Sequence, residues 1–195
     1  MGFWSVLTYA HKLAEQRIKP GETVIDATAG TGADTLALTR MVGPKGNVYS
    51  FDIQQEALER TRSRLIEADV PADQVQLLLL SHDQLQEALP IASHGRIGAV
   101  LFNLGYLPGG DPTVITQPDS TIRALDQAFD LLRPGGLLCV TVYPGHPGGE
   151  LEAAKVDDWF SQLRPEAGQA ISYRMLNRRS APYVLAAEKK HITQK

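Results

Sequence analysis

Asp26, Gly30 and Gly32 stand in a spacing that can hold a nucleotide-like ligand. Val24-Ile25-Asp26 reads as the end of an apolar strand, Gly30-Thr31-Gly32 as a turn, and Asp34-Thr35 as the start of a helix. Glycines let the backbone approach a ligand closely, and a helix N-terminus offers free N–H groups. Dinucleotide sites carry a third glycine three residues on, where this chain has Thr35. An acid before the glycines would repel a pyrophosphate. It suits a cofactor with a cationic amino-acid end, such as S-adenosylmethionine (SAM), although the turn alone leaves both kinds open. In the SAM case Asp26, Gly30, Thr31 and Gly32 would hold the methionine end, with Asp34 capping the helix or meeting the amino group.

The next strand ends extend the list. Asp52 closes the run Asn47–Asp52 about twenty residues past the glycines, where a carboxylate accepts ribose hydroxyls of either cofactor. Gln54 stands beside it. Ser81 and His82 follow a third run, 75–80, and suit the adenine edge or the carboxylate end. A fourth run, 97–102, ends at Asn103-Leu104-Gly105-Tyr106, placing Asn103 beside the glycine turn and facing the incoming nucleophile, with Tyr106 free to stack on a base. Two irregular stretches, 104–118 and 143–149, are rich in glycine and proline and leave the same sheet edge. Within them Asp111 and His146 are the side chains suited to accept a proton.

These residues need a scaffold. Phe3, Val6, Leu7, Ala10, Leu13, Ala14 and Ile18 recur at helical steps, so a helix is expected over 3–19, ended by Pro20-Gly21. Strands are expected at 23–27, 47–52, 75–80, 97–102 and 137–142, with helices at 34–41 and 54–67 and another starting at Thr121. A glycine turn at Leu131–Gly136 should close that helix. Gln169–Leu176 and Tyr183–Ala187 read as a closing antiparallel hairpin.

The 195 residues fit one domain, 1–195, with 43% hydrophobic residues and a net charge of −3. No apolar run approaches the roughly 20 residues that span a bilayer, and Met1–Pro20 lacks the arrangement of a signal peptide, so a cytoplasmic location is expected without membrane contact. The single cysteine, Cys139, lies mid-strand and offers neither a disulfide nor a thiolate cluster for a metal. Charge is uneven: residues 161–195 carry seven basic and two acidic side chains on an otherwise acidic chain, a surface suited to phosphates or simply a solvated rim. This basic hairpin and tail, 165–195, is modest for a nucleic-acid enzyme, and a homodimer pooling two such ends would strengthen it.

The order of motifs resembles the class I SAM-dependent methyltransferases. That resemblance implies an α/β, Rossmann-like fold: a seven-stranded, mostly parallel sheet with helices on both faces and an antiparallel seventh strand. More narrowly, Asp26-Ala27-Thr28-Ala29-Gly30-x-Gly32, Asn103-Leu104-Gly105-Tyr106-Leu107-Pro108-Gly109-Gly110-Asp111 and Gly145-His146-Pro147-Gly148-Gly149 resemble a family long called rRNA methylases. Its characterised members methylate the amine of 5-aminomethyl-(2-thio)uridine at the tRNA wobble position. The resemblance implies SAM as methyl donor, no metal, and a tRNA anticodon stem-loop as partner. Asn103, Tyr106, Asp111 and His146 would then be catalytic, and Tyr143, Arg174, Asn177, Arg178 and Arg179 would meet the RNA, where splayed bases stack on aromatic or guanidinium planes. Pro144 stands where the family commonly has His, which excludes catalysis there, and Thr31 replaces a frequent Asn.

Chemistry bears on that resemblance independently. Methylating a pyrimidine ring carbon directly usually needs a cysteine nucleophile, and a mid-strand Cys139 is badly placed for it. Adenine-amine methylases carry a proline pair after the strand-four Asn, where this chain has Leu104-Gly105. A small-molecule N- or O-methyltransferase and an rRNA methyltransferase are the alternatives. An NAD-dependent oxidoreductase lacks support, because neither the third glycine nor a Tyr-x-x-x-Lys pair is present.

Overall fold

A computed structural model describes residues 2–111, 113–178 and 180–191. Helix α1 (Val6–Arg17) leads into β1 (Thr23–Asp26), α2 (Ala33–Val42), β2 (Asn47–Asp52), α3 (Gln55–Glu67) and β3 (Val75–Leu79). After the short α4 (Leu85–Ala88) come β4 (Ile97–Leu104), α5 (Pro118–Leu131), β5 (Leu132–Val142), α6 (Gly149–Ser161), β6 (Gly168–Tyr173) and β7 (Tyr183–Lys189). The seven strands lie in the order β3-β2-β1-β4-β5-β7-β6. β1 to β5 are parallel, and β7 runs antiparallel to both its neighbours. This is the Rossmann-like, mostly parallel sheet with an antiparallel seventh strand that the motifs imply. The order reverses between β1 and β4, which opens a crevice at the carboxyl ends of those strands.

Successive strand residues point to opposite faces, and two cores follow. Val24, Val48, Ala99, Leu101 and Cys139 pack under α1 and α2, against Ala10, Ala14 and Leu38. Their neighbours Ile25, Phe51, Val100, Phe102 and Leu138 pack under α5 and α6, against Leu125, Val156 and Phe160. Continuous apolar strands are what a sheet covered on both faces requires.

Several boundaries differ from the sequence reading. α1 is shorter than 3–19: Ser5 caps it by accepting the Thr8 N–H at 3.2 Å, and Ile18 is already extended. Phe3 stays outside at 88% exposure. α5 starts at Pro118, which fits a first helical position because it has no N–H to leave unpaired. The expected glycine turn at 131–136 is a bulge inside β5 instead. Leu132 pairs with Ile97 and Leu137 with Ala99, so residues 133–136 lie opposite Gly98. Arg133 anchors the bulge, donating to both Glu22 carboxylate oxygens and to the Arg17 carbonyl. Helix α6 was not foreseen, and its pattern explains why: Leu151 is exposed while Glu152 is buried. The Glu152 carboxylate accepts the Thr116 and Thr121 hydroxyls, each at 2.6 Å, and so ties the 104–118 loop to α6. β6 ends at Tyr173 rather than 176, leaving Arg174, Met175 and Leu176 in the connection to β7.

Candidate functional site

The crevice is a cavity of about 640 Å³, within the range of small-molecule and cofactor sites. Its walls come from the glycine turn, the ends of β2 to β5, the two irregular loops, Leu7 of α1, Ser120 of α5, and Ser180 and Pro182 of the β6–β7 connection. Of the expected residues, Gly30, Thr31, Asp34, Asp52, Gln54, Ser81, His82, Asn103, Tyr106, Tyr143 and His146 lie on these walls. α3 holds two of the loops in place: Arg60 donates to the Pro108 carbonyl at 2.7 Å, and Arg64 to the Thr31 carbonyl at 2.7 Å.

At one end, Asp52 accepts the backbone N–H groups of Gly30 and Gln54, both at 2.9 Å. Burial raises its carboxyl above the usual range, and the backbone donors oppose that rise. Each oxygen keeps a further lone pair for a ligand hydroxyl. Beside it His82 lies edge-on to Phe102, with its Nε2 buried and unpaired. Burial pushes the imidazole down to about 4, so it is neutral at physiological pH. Replacing Asp52 by Ala should weaken SAM binding at least about tenfold, or 1.4 kcal/mol, by calorimetry. Unchanged affinity would place the ribose elsewhere.

Two residues of the glycine motif do not touch the cavity. Asp26 is fully buried behind the turn, where it accepts the Thr35 hydroxyl at 2.6 Å and the Thr28 N–H at 3.2 Å. There it holds the turn and does not reach the cavity wall. Gly32 is the N-cap of α2, with φ +77°, pressed against α3: a Cβ there would stand 2.8 Å from the Thr61 Cα. That glycine serves helix packing.

Burial, with Asp34 nearby, pushes the Asp26 carboxyl up to about 7. Between about pH 4 and that value the folded chain keeps a proton that the unfolded chain has lost. This carboxyl therefore lowers stability as pH rises through the window, on the order of 1 kcal/mol per pH unit. In Asp26→Asn the Thr35 hydroxyl can turn its proton to Ser50 Oγ, 2.8 Å away, and accept from the new amide. Thermal melts should show the variant gaining on the wild type from about pH 4 to about pH 7. Both chains share the opposite contribution of His82, whose depressed value favours folding as pH rises. A pH-independent difference would refute the assignment.

Near the glycine turn, Asn103 and Asp34 form a unit that reaches a residue the motifs missed. Asn103 donates its amide N–H to Asp34 Oδ2 at 2.7 Å, and its backbone N–H to the Thr28 hydroxyl at 2.7 Å. The other Asp34 oxygen lies 2.6 Å from His11 Nε2 on α1. A histidine in the otherwise apolar stripe Leu7–His11–Ala14 was the available signal.

The opposite end is built from the two loops. Tyr106 and His146 meet edge to face, their ring centres 5.8 Å apart. His146 Nδ1 lies 3.0 Å from the Pro147 carbonyl, which can only accept, so Nδ1 carries the proton. Nε2 is then the nitrogen with a lone pair in the neutral ring, and it is buried and unpaired between Gly105 and Gly149. A Cβ at Gly149 would stand 2.9 Å from it, so glycine there makes room for the imidazole. Burial raises the Tyr143 hydroxyl, keeping it protonated.

Asp111, expected as an alternative base, is off the cavity. It is exposed and accepts the Thr113 N–H and hydroxyl, which hold its carboxyl below the usual range and make it a poor base. Arg174 is also engaged elsewhere, paired with Asp157 at 2.8 Å and stacked 4.2 Å over the Tyr183 ring. Asn177 and Arg178 are exposed on the β6–β7 connection and are not themselves on the cavity wall, although Ser180 and Pro182 of the same connection are; Arg179 lies outside the described residues. Cys139 is buried mid-strand, its thiol pushed well up by burial, and is no nucleophile. Among the described residues no group of three or more His, Cys, Asp or Glu could hold a metal ion, and no helix is long and apolar enough to cross a membrane.

The sequence profile of the family described as "Putative rRNA methylase" matches residues 48–189. A chloroplastic tRNA (mnm(5)s(2)U34)-methyltransferase of Arabidopsis thaliana is 43% identical over 183 residues, 90% of this chain and 66% of that protein. The chain thus spans just under two thirds of that relative. Among solved structures, a "putative rRNA-methylase" from Clostridium thermocellum matches with a TM-score of 0.91 at 33% identity, over 97% of this chain and 100% of that one. A "putative methyltransferase" from Streptococcus mutans in complex with SAH matches with a TM-score of 0.85 at 31% identity, over 96% and 99% of the two chains.

Proposed function

The chain belongs to the rRNA-methylase family, and from that premise we propose that it is a SAM-dependent methyltransferase acting on the 5-aminomethyl group of tRNA wobble uridine. The observation that carries the chemistry is His146: a proton acceptor with a fixed tautomer, in the same cavity as the glycine turn and Asp52. The substrate rests on the tRNA (mnm(5)s(2)U34)-methyltransferase activity of the 43% identical Arabidopsis relative.

The wall residues fit SAM. Asp52 suits the ribose, the neutral unpaired His82 the adenine, and the acceptors of Asp34 and Asn103 a cationic amino-acid end. When bound, SAM supplies a methyl group made electrophilic by its sulfonium. The chain's own residues then do two things. Tyr106 and Tyr143 confine the target nucleotide, so that its amine lies in line with the methyl–sulfur bond; positioning of this kind supplies much of the acceleration. His146 Nε2, buried in this structure, takes the proton that a substrate ammonium must lose before its nitrogen lone pair can attack, once substrate entry has uncovered it. The products are the secondary ammonium, the demethylated cofactor and the one proton taken by His146, which passes to solvent.

Incubation of the purified protein with SAM and tRNA carrying 5-aminomethyluridine should convert that nucleoside to its methylaminomethyl form, read by nucleoside mass spectrometry. If the nucleoside persists while a small amine is methylated, the tRNA assignment fails.

A further inference from the structure

We propose that His11 is a positioning residue for the donor's amino-acid end, acting through Asp34 and Asn103. The inference rests on the assignment of the cavity to SAM. Three elements meet here. α1 brings His11 Nε2 to 2.6 Å from Asp34 Oδ1, α2 carries Asp34, and β4 ends at Asn103, whose Nδ2 lies 2.7 Å from Asp34 Oδ2. Each carboxylate oxygen is engaged by a different partner, so the group cannot rotate freely.

That restraint fixes Asn103 as well. The Asn103 atom that faces Asp34 is its NH₂, which donates to Oδ2, so Oδ1 points the other way. Oδ1 is buried with no hydrogen-bond partner, a costly state for an amide oxygen unless a donor arrives. Asp34 and Asn103 both lie on the cavity wall. A carboxylate and a carbonyl oxygen, with no Lys or Arg among the described wall residues, suit an ammonium group. His11 itself is off the wall, its side chain 30% exposed, so its effect on a ligand is transmitted through Asp34. Asp34 and Asp26 hold the imidazole above its ordinary value, the Asp34 hydrogen bond chiefly, which strengthens the contact.

The test compares two ligands that differ only at the amino-acid end. S-adenosylhomocysteine carries it, and 5′-methylthioadenosine does not. Calorimetry on His11→Leu should show about tenfold or greater loss of S-adenosylhomocysteine affinity, as for one hydrogen bond to a charged group. Methylthioadenosine affinity should stay within about twofold. His11→Gln, which keeps an N–H near the same place, should restore S-adenosylhomocysteine binding to within about threefold of the wild type. The proposal is overturned by unchanged S-adenosylhomocysteine affinity in His11→Leu, by equal losses for both ligands, or by failure of the glutamine rescue. A wild-type protein that binds neither ligand overturns the assignment of the cavity itself.

Discussion

His146→Ala is expected to lower turnover by about 10²–10⁴-fold, the range for removing a general base, while SAM affinity changes less than about twofold. The separation follows from geometry. His146 belongs to the Tyr106 end of the cavity, whereas Asp52 and His82 form the other end. Loss of a group that acts in the transition state lowers kcat more than it alters cofactor binding. Single-turnover methylation of tRNA and calorimetry with SAM read the two quantities. The Asp111→Ala variant is the control: its side chain is exposed and bonded to Thr113, so its effect should be within about twofold, as for an ordinary surface change. Equal losses for the two variants would remove His146 from the role of base.

Gly32→Ala should be the most destabilising of the glycine-turn substitutions. At φ +77° an alanine sits in the left-handed region, at a cost of about 1–2 kcal/mol. Its Cβ would lie 2.8 Å from the Thr61 Cα, a backbone atom of α3 that moves only with its helix. Overpacking of that kind adds about 1–3 kcal/mol. For a chain of this size the two together lower the melting temperature on the order of 10 °C. Gly30→Ala provides the contrast. The backbone is again left-handed, at φ +53°, but the nearest atoms to a new Cβ are 3.7 and 3.9 Å away. It should melt closer to the wild type and lose SAM affinity instead, because Gly30 lines the cavity and Gly32 does not. Similar melting points for the two variants would show that α2 and α3 are not in the tight contact described.

Much was legible in the chain because it depends on local rules. Strand runs ending in Asp26, Asp52 and Asn103, glycines at the β1–α2 turn and helical spacing in α1 and α5 each follow from a few neighbouring residues. Together they gave the sheet and the edge on which a ligand sits. The losses were also local: α6 hid behind an inverted Leu151–Glu152 pair, and a glycine bulge in β5 looked like a turn.

Sequence by itself determined which residue types stand at the sheet's carboxyl edge, since backbone conformation and burial pattern are set within a few residues. Which of them face the ligand was decided by tertiary structure. Asp26 and Asp52 both end strands after apolar runs, yet one is sealed behind the turn by Thr35 and the other opens on the cavity. Asp111 and His146 both sit in glycine- and proline-rich loops, yet one turns to solvent and the other packs against Tyr106. His11, Asp34 and Asn103 lie 23 and 69 residues apart along the chain and meet at 2.6 and 2.7 Å. Such encounters depend on how α1 and β4 pack against the rest of the fold, and no local rule of spacing contains that information.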